Sequence, residues 1–107
     1  MQFSTEELQS LINQPGSIDL QHADLSEADL SVSSLRRANL RKANLRKVNF
    51  YVADLRVADL SEADLSEANL GGAYMSGANL RQADLREGDL SYARSLVVRC
   101  EKLGPIH

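Results

Sequence analysis

The sequence predicts an all-β solenoid whose chain turns a corner every five residues. Three observations carry this. Leu20, Leu25, Leu30, Leu35, Leu40 and Leu45, then Phe50, Leu55, Leu60, Leu65, Leu70, Met75, Leu80, Leu85 and Leu90, stand five apart without a gap. Two residues before each is a small residue, nearly always alanine from Ala23 to Ala93, with Asp or Asn between. A period of five is neither helical nor strand-like. A helix would rotate residues five apart by about 140°, and a continuous strand would send successive leucines to opposite faces. A backbone that bends once per unit buries them all, with coils stacking about 4.8 Å apart through inter-strand hydrogen bonds.

In chain order, a short helix comes first. Ser4 is a candidate N-cap with Glu7 three residues on, and Phe3 and Leu8 have the spacing of a hydrophobic staple. Leu8, Leu11 and Ile12 make one apolar stripe, and Pro15-Gly16 ends the segment. A helix over about 5–13 is marginal alone, so its stripe must dock, and the open first coil is the surface offered. Residues 1–17 are thus a capping helix and turn, and residues 18–93 are the solenoid. Beyond Ala93 the phrase stops. Residues 94–103 read as a helical or irregular cap, with Leu96, Val97, Val98 and Leu103 to cover the last coil, and Gly104-Pro105 ends it. Residues 94–107 form this C-terminal cap and tail, because an uncovered coil would invite end-to-end growth.

The tandem Ala-(Asp/Asn)-Leu-x-x phrase resembles the pentapeptide-repeat family. That resemblance implies a right-handed, four-sided (quadrilateral) parallel β-helix of about four coils. Departures from the phrase are few: Ser33 and Ser34 replace Ala and Asp, Val48 and Phe50 enlarge one unit, Tyr74 takes an Asp/Asn position beside Met75, and Gly88 takes an Ala position. The larger Val48–Phe50 unit is expected to swell or bend the coil locally.

Four units per coil put residues 20 apart in vertical files. Leu20-Leu40-Leu60-Leu80 and its three sister files form an apolar core with no room for a substrate. The Asp/Asn files alternate, as in Asp19-Asn39-Asp59-Asn79, so carboxylates avoid one another; Asp64-Asp84 is the exception and reads as an exposed, hydrated pair. Vertical ion pairing is expected within Glu27-Lys47-Glu67 and His22-Lys42-Glu62. Arg36, Arg37, Arg41, Lys42, Arg46 and Lys47 form a basic belt beneath an acidic one. One region lacks charge: Ser31-Tyr51-Gly71-Ser91 and Val32-Val52-Gly72-Tyr92, with Val57 and Tyr74 round the corner. Val32, Tyr51, Val52, Val57, Tyr74 and Tyr92 are the candidate protein interface.

Catalytic chemistry is not legible. His22 and His107 with Cys100 have no metal-ligand spacing, and Gly71-Gly72 lies inside the repeat rather than between strand and helix, so it is no phosphate loop. No nucleophile, base and oxyanion donor can be assembled, and no cofactor is expected. With 12 basic and 15 acidic residues the net charge is −3, which favours neither nucleic acid nor an anionic membrane. One cysteine, no signal peptide and no spanning segment make the cytoplasm the expected location. The expected function is a non-enzymatic scaffold or protein-interaction module, with a protein partner or self-association into a homo-oligomer. An alternative, implied by the resemblance, is a DNA-mimic modulator of topoisomerase (gyrase). Charge argues against it: roughly 19 Å of stack would match about 11 phosphates of B-DNA, far more than a net −3. A second alternative is weak nucleic-acid binding by the basic belt.

Overall fold

A computed structural model describes residues 4–12 and 17–93. Helix α1 spans Thr5–Ile12. From Asp19 onward the backbone pairs in parallel with itself at a constant offset of twenty residues, as in Asp19–Asn39–Asp59–Asn79 and Ser34–Asp54–Tyr74. A turn separates successive paired residues, so each coil has four sides and four corners. The corners lie at residues 21–22, 26–27, 31–32 and 36–37, and recur every twenty residues; they are called the first to the fourth.

Each side is too short for a regular strand. Pairing is confined to one residue per side, the Asp/Asn position, yet no donor within an inner unit is wasted. In the unit 39–43, Asn39 N–H donates down to Ile18 O and Leu40 N–H donates up to Asp59 O. Lys42 N–H donates up to Ser61 O, and Ala43 N–H closes the corner turn on Leu40 O. The remaining donor, Arg41 N–H, is taken by the side chain of Asn39 at 3.1 Å. The Asp/Asn of the phrase is therefore an Asx acceptor for the first corner residue, and it satisfies the one donor that neither the stack nor the turn can reach.

The second residue of every corner has positive φ. Thirteen of these are not glycine, from His22 at 65° to Tyr92 at 59°, and Gly72 and Gly77 fill the other two. Positive φ at the second turn position alone is the pattern of a type II turn. Such a position suits glycine or asparagine and strains other residues by about 1–2 kcal/mol each. At the inner corners the stack holds this conformation: the N–H of the strained residue donates to the coil above, as Lys42 does to Ser61 O, and the next N–H closes the turn, as Ala43 does on Leu40 O.

The interior is apolar and continuous. Leu40, Leu60 and Phe50 are fully buried or nearly so, with the alanines packed round them. The expected swelling at Val48 and Phe50 leaves no break: both are fully buried and the Asp29–Asn49–Asn69 pairing runs through. Val48 stands between Ala28 and Ala68 in its file, so small neighbours absorb its extra methyls.

Helix α1 closes the lower end. Ser4 N–H donates to Glu7 Oε1 at 3.2 Å and Glu7 N–H donates to Ser4 Oγ at 3.1 Å, a reciprocal capping box. Leu8 and Ile12 are buried in the core cluster, with Leu11 packed against it. The proposed staple residue Phe3, the Pro15-Gly16 stop and the C-terminal segment with Cys100 and His107 lie outside the described residues.

Candidate interaction surface

The corners carry the chemistry. Thirteen Asp or Asn side chains accept the N–H two residues on, from Asp19 with Gln21 to Asp89 with Ser91. Where a serine follows, its hydroxyl adds a second bond: Ser26 and Ser31 hold the Asp24 and Asp29 carboxyls below the ordinary range, chiefly through those hydroxyl bonds. Where an arginine follows an aspartate, the pair becomes bidentate. Arg56 donates N–H, Nε and Nη2 to Asp54 at 3.2, 2.9 and 2.7 Å, and this bond is the main reason the Asp54 carboxyl is lowered. Arg86 grips Asp84 in the same way. The expectation of an exposed, hydrated Asp64–Asp84 pair is thus corrected. Both are partly buried; Asp64 accepts two bonds from Ser66 and Asp84 binds Arg86. The local Asx bond draws each carboxylate back against its own corner.

The expected vertical ion pairs are corrected as well. Glu62 pairs with Arg41 at 3.1 Å and Glu67 with Arg46 at 3.5 Å. Both contacts run diagonally, from the first residue of one corner to the second residue of the corner above. The long, forked guanidinium of the first corner residue makes this crossing, which leaves Lys42 and Lys47 without an ion pair among the described residues. Of the six belt cations, Arg36, Arg37, Lys42 and Lys47 have no such partner there.

The candidate interface residues gather round the third corner and the side running from it to the fourth, with Val57 on the fourth corner itself. Val32 is 72% exposed and Tyr92 92%, while Tyr51 and Val57 are about half exposed; these are the exposed large apolar side chains among the described residues. Val52 is half-buried, and so is Tyr74, whose ring centroid lies 5.8 Å from the Arg56 guanidinium. Three glycines sit above the bulky residues. A Cβ on Gly71 would meet the Tyr51 ring at 3.4 Å, and Cβ atoms on Gly72 and Gly77 would meet Val52 and Val57 at the same distance. A shallow groove follows along the third corner, walled by Tyr51, Val52 and Tyr92 and floored by Gly71-Gly72.

Two features of this surface escaped sequence reasoning. Val32, Val52 and Val57 occupy positive-φ positions, where a β-branched side chain is most strained. Arg36 and Ser76 are the first corner residues whose N–H has no Asx acceptor, because Ser34 and Tyr74 stand where the others have Asp or Asn. Ser34 and Tyr74 share one side with Asp54. The replacements were visible in the sequence, but their meaning depends on knowing what Asp/Asn does at the corner. Among the described residues no group of His, Cys, Asp and Glu is arranged to hold a metal ion, and no helix is long and apolar enough to cross a membrane.

A family model for pentapeptide repeats matches residues 17–51 and 58–94. Among solved structures, the chain is similar to HetL of Nostoc sp. strain PCC 7120, described as involved in heterocyst differentiation regulation. The identity is 34% and the TM-score 0.72, over 78% of this chain and 36% of that one. Rfr23 from the cyanobacterium Cyanothece 51142 is 32% identical at TM-score 0.71, over 89% and 64%. A protein of the Arabidopsis thaliana thylakoid lumen is 39% identical at TM-score 0.66, over 66% and 49%. The chain therefore spans less than two thirds of the length of each of these three. Comparison with curated proteins returns no significant match.

Proposed function

The chain belongs to the pentapeptide-repeat family, and from that footing we propose a non-enzymatic scaffold, wound with the right hand of its solved relatives, whose third corner and adjoining side receive a protein partner. One observation carries the reading: the local rules of the fold are broken together, in one place. The strained valines Val32, Val52 and Val57, and the two positions without Asp or Asn, Ser34 and Tyr74, fall on this corner, this side or the next corner. All three tyrosines of the chain lie there too. The valines and the two missing Asx acceptors sacrifice local stability, and residues that do so in a cluster point to a requirement outside the chain.

The test is affinity capture from an extract of cells that make the protein. The wild type is compared with a Tyr51→Glu/Val52→Glu/Val57→Glu variant and with a Lys42→Glu/Gln82→Glu control on the first corner. Proteins held by wild type and control but lost by the triple variant support the proposal. Capture indifferent to the triple variant overturns it. The DNA-mimic alternative has less support, because this surface sets Arg36, Arg37 and Arg56 against Asp29, Asp54 and Asp89 and so lacks the excess of negative charge that a mimic needs.

A further inference from the structure

We propose that Ser34 and Arg36 frame a carboxylate-binding site, and that its ligand is an Asp or Glu side chain on a partly apolar segment of a partner protein. The inference rests on the interface reading above and gives it a chemistry.

The molecule contains its own template. One coil above Ser34, Asp54 accepts the N–H, Nε and Nη2 of the arginine two residues on, Arg56, at 3.2, 2.9 and 2.7 Å. Asp84 and Arg86 repeat the arrangement with a backbone bond of 3.1 Å. The unit holding Ser34 and Arg36 has the same arginine at the same place, but a hydroxymethyl group where the carboxylate would be. The Arg36 N–H has no protein acceptor and its guanidinium no ion pair among the described residues. Arg36 is close enough to lower the Asp54 pKa, but Arg56 occupies both Asp54 oxygens. A carboxylate from outside, placed over Ser34, would complete the pattern with one backbone and two guanidinium bonds, the geometry arginine favours.

The surroundings select the ligand further. Arg37 is exposed, without an ion pair among the described residues, and Val57 stands directly above it in the same file. Val32, on the other edge of the same coil, is largely exposed. A ligand reaching Arg36 thus meets a second cation and apolar surface on both flanks, which suits a segment mixing acidic and aliphatic residues. On the side bearing Ser34, Arg36, Arg37 and Arg56 stand against Asp54, a positive excess on a chain of net −3, while Asp29 and Asp89 lie across the third corner, bound to Ser31 and Ser91. A second copy fits poorly. A two-fold interface would set this positive side against itself. The chain's own residues 94–107 carry Arg94, Arg99 and Lys102 against Glu101, the wrong charge for the site.

The experiment is an amide NMR titration of the full chain, wild type and Ser34→Asp. The probes are sodium acetate, with sodium chloride at matched ionic strength, and a twelve-residue peptide alternating Glu and Leu alongside its Gln analogue. The expected result is an acetate-specific shift of the Arg36 amide in the wild type that is absent in Ser34→Asp, whose own carboxylate fills the place. The Glu peptide should bind at least tenfold more tightly than the Gln analogue, and at least tenfold more weakly to Ser34→Asp. An unmoved Arg36 amide, or equal movement in both proteins, overturns the site. Equal binding of the two peptides across Val32 and Val57 also overturns it while leaving the interface proposal standing; that proposal fails separately, on indifferent capture by the triple glutamate variant.

Discussion

Replacing Val32 with glycine should stabilise the protein, against the usual direction for removing a side chain. Val32 sits at φ 59°, where a side chain bearing Cβ is strained by about 1–2 kcal/mol relative to glycine. Glycine returns part of this through its greater freedom in the unfolded chain, about 0.5–1 kcal/mol. The side chain is 72% exposed, so little burial is lost. The balance is a gain of about 0.5–1 kcal/mol, read as a higher urea midpoint at unchanged slope. Val32→Asn should also gain, since asparagine tolerates this conformation. Val32→Thr should not, because it keeps the β-branch while adding polarity; it separates relief of strain from relief of apolar exposure. A midpoint that falls on Val32→Gly would refute the claim that the corner valines are strained. A gain shared by Val32→Thr would move the cause to solvation.

Gly77→Val should destabilise by about 1–2 kcal/mol from strain at φ 74°, with contact against Val57 adding to it. Asn49→Ala should cost about 0.5–1.5 kcal/mol by removing the acceptor of the Tyr51 N–H, and Ser34→Asp should gain a similar amount by supplying one to Arg36; chemical denaturation of the pair gives opposite shifts if the Asx bond matters. Leu60→Ala, in the middle of the core, should lose about 2–5 kcal/mol. The carboxyls of Asp24, Asp29 and Asp54 lie below 3.8 in the folded chain, so the unfolded chain binds more protons just below that pH. Their stabilisation is therefore full above 3.8 and is lost as pH falls through their folded values; Asp54→Asn should flatten the acid limb of a stability–pH curve.

How much of this the sequence disclosed follows from what each residue type does alone. The leucine period required a backbone that bends every fifth residue, and the vertical files, the buried Phe50 and the Ser4–Glu7 capping box follow from spacing and size. Two things did not. The Asp/Asn files looked like a charge pattern because their alternation is visible on paper; that each side chain first serves its own corner emerges only when the backbone donors are counted. The charged columns looked vertical because a twenty-residue offset is the only one the period supplies. The side chains of Arg41 and Arg46 cross instead to the second residue of the corner above, Glu62 and Glu67, a diagonal reach that no period encodes.

The same donor count explains where specificity can reside in such a fold. Within an inner unit, three N–H groups go to neighbouring coils, one to the turn and one to the Asx side chain, so the interior and the sides repeat almost identically and carry little information. The corner residues are free to vary, because their backbone is fixed by the stack whatever their side chains are. An interaction surface must then be written in two ways only: by which side chains the corners display, or by withdrawing an Asx acceptor so that a corner N–H becomes available to another molecule. Val32, Val52 and Val57 are the first kind and Ser34 is the second. Their convergence on one side is what a partner-binding face would require of a structure whose other positions are committed to the stack. If Ser34→Asp raised stability and left partner capture intact, the second kind of signal would carry no binding information here, and the valines and tyrosines alone would define the face.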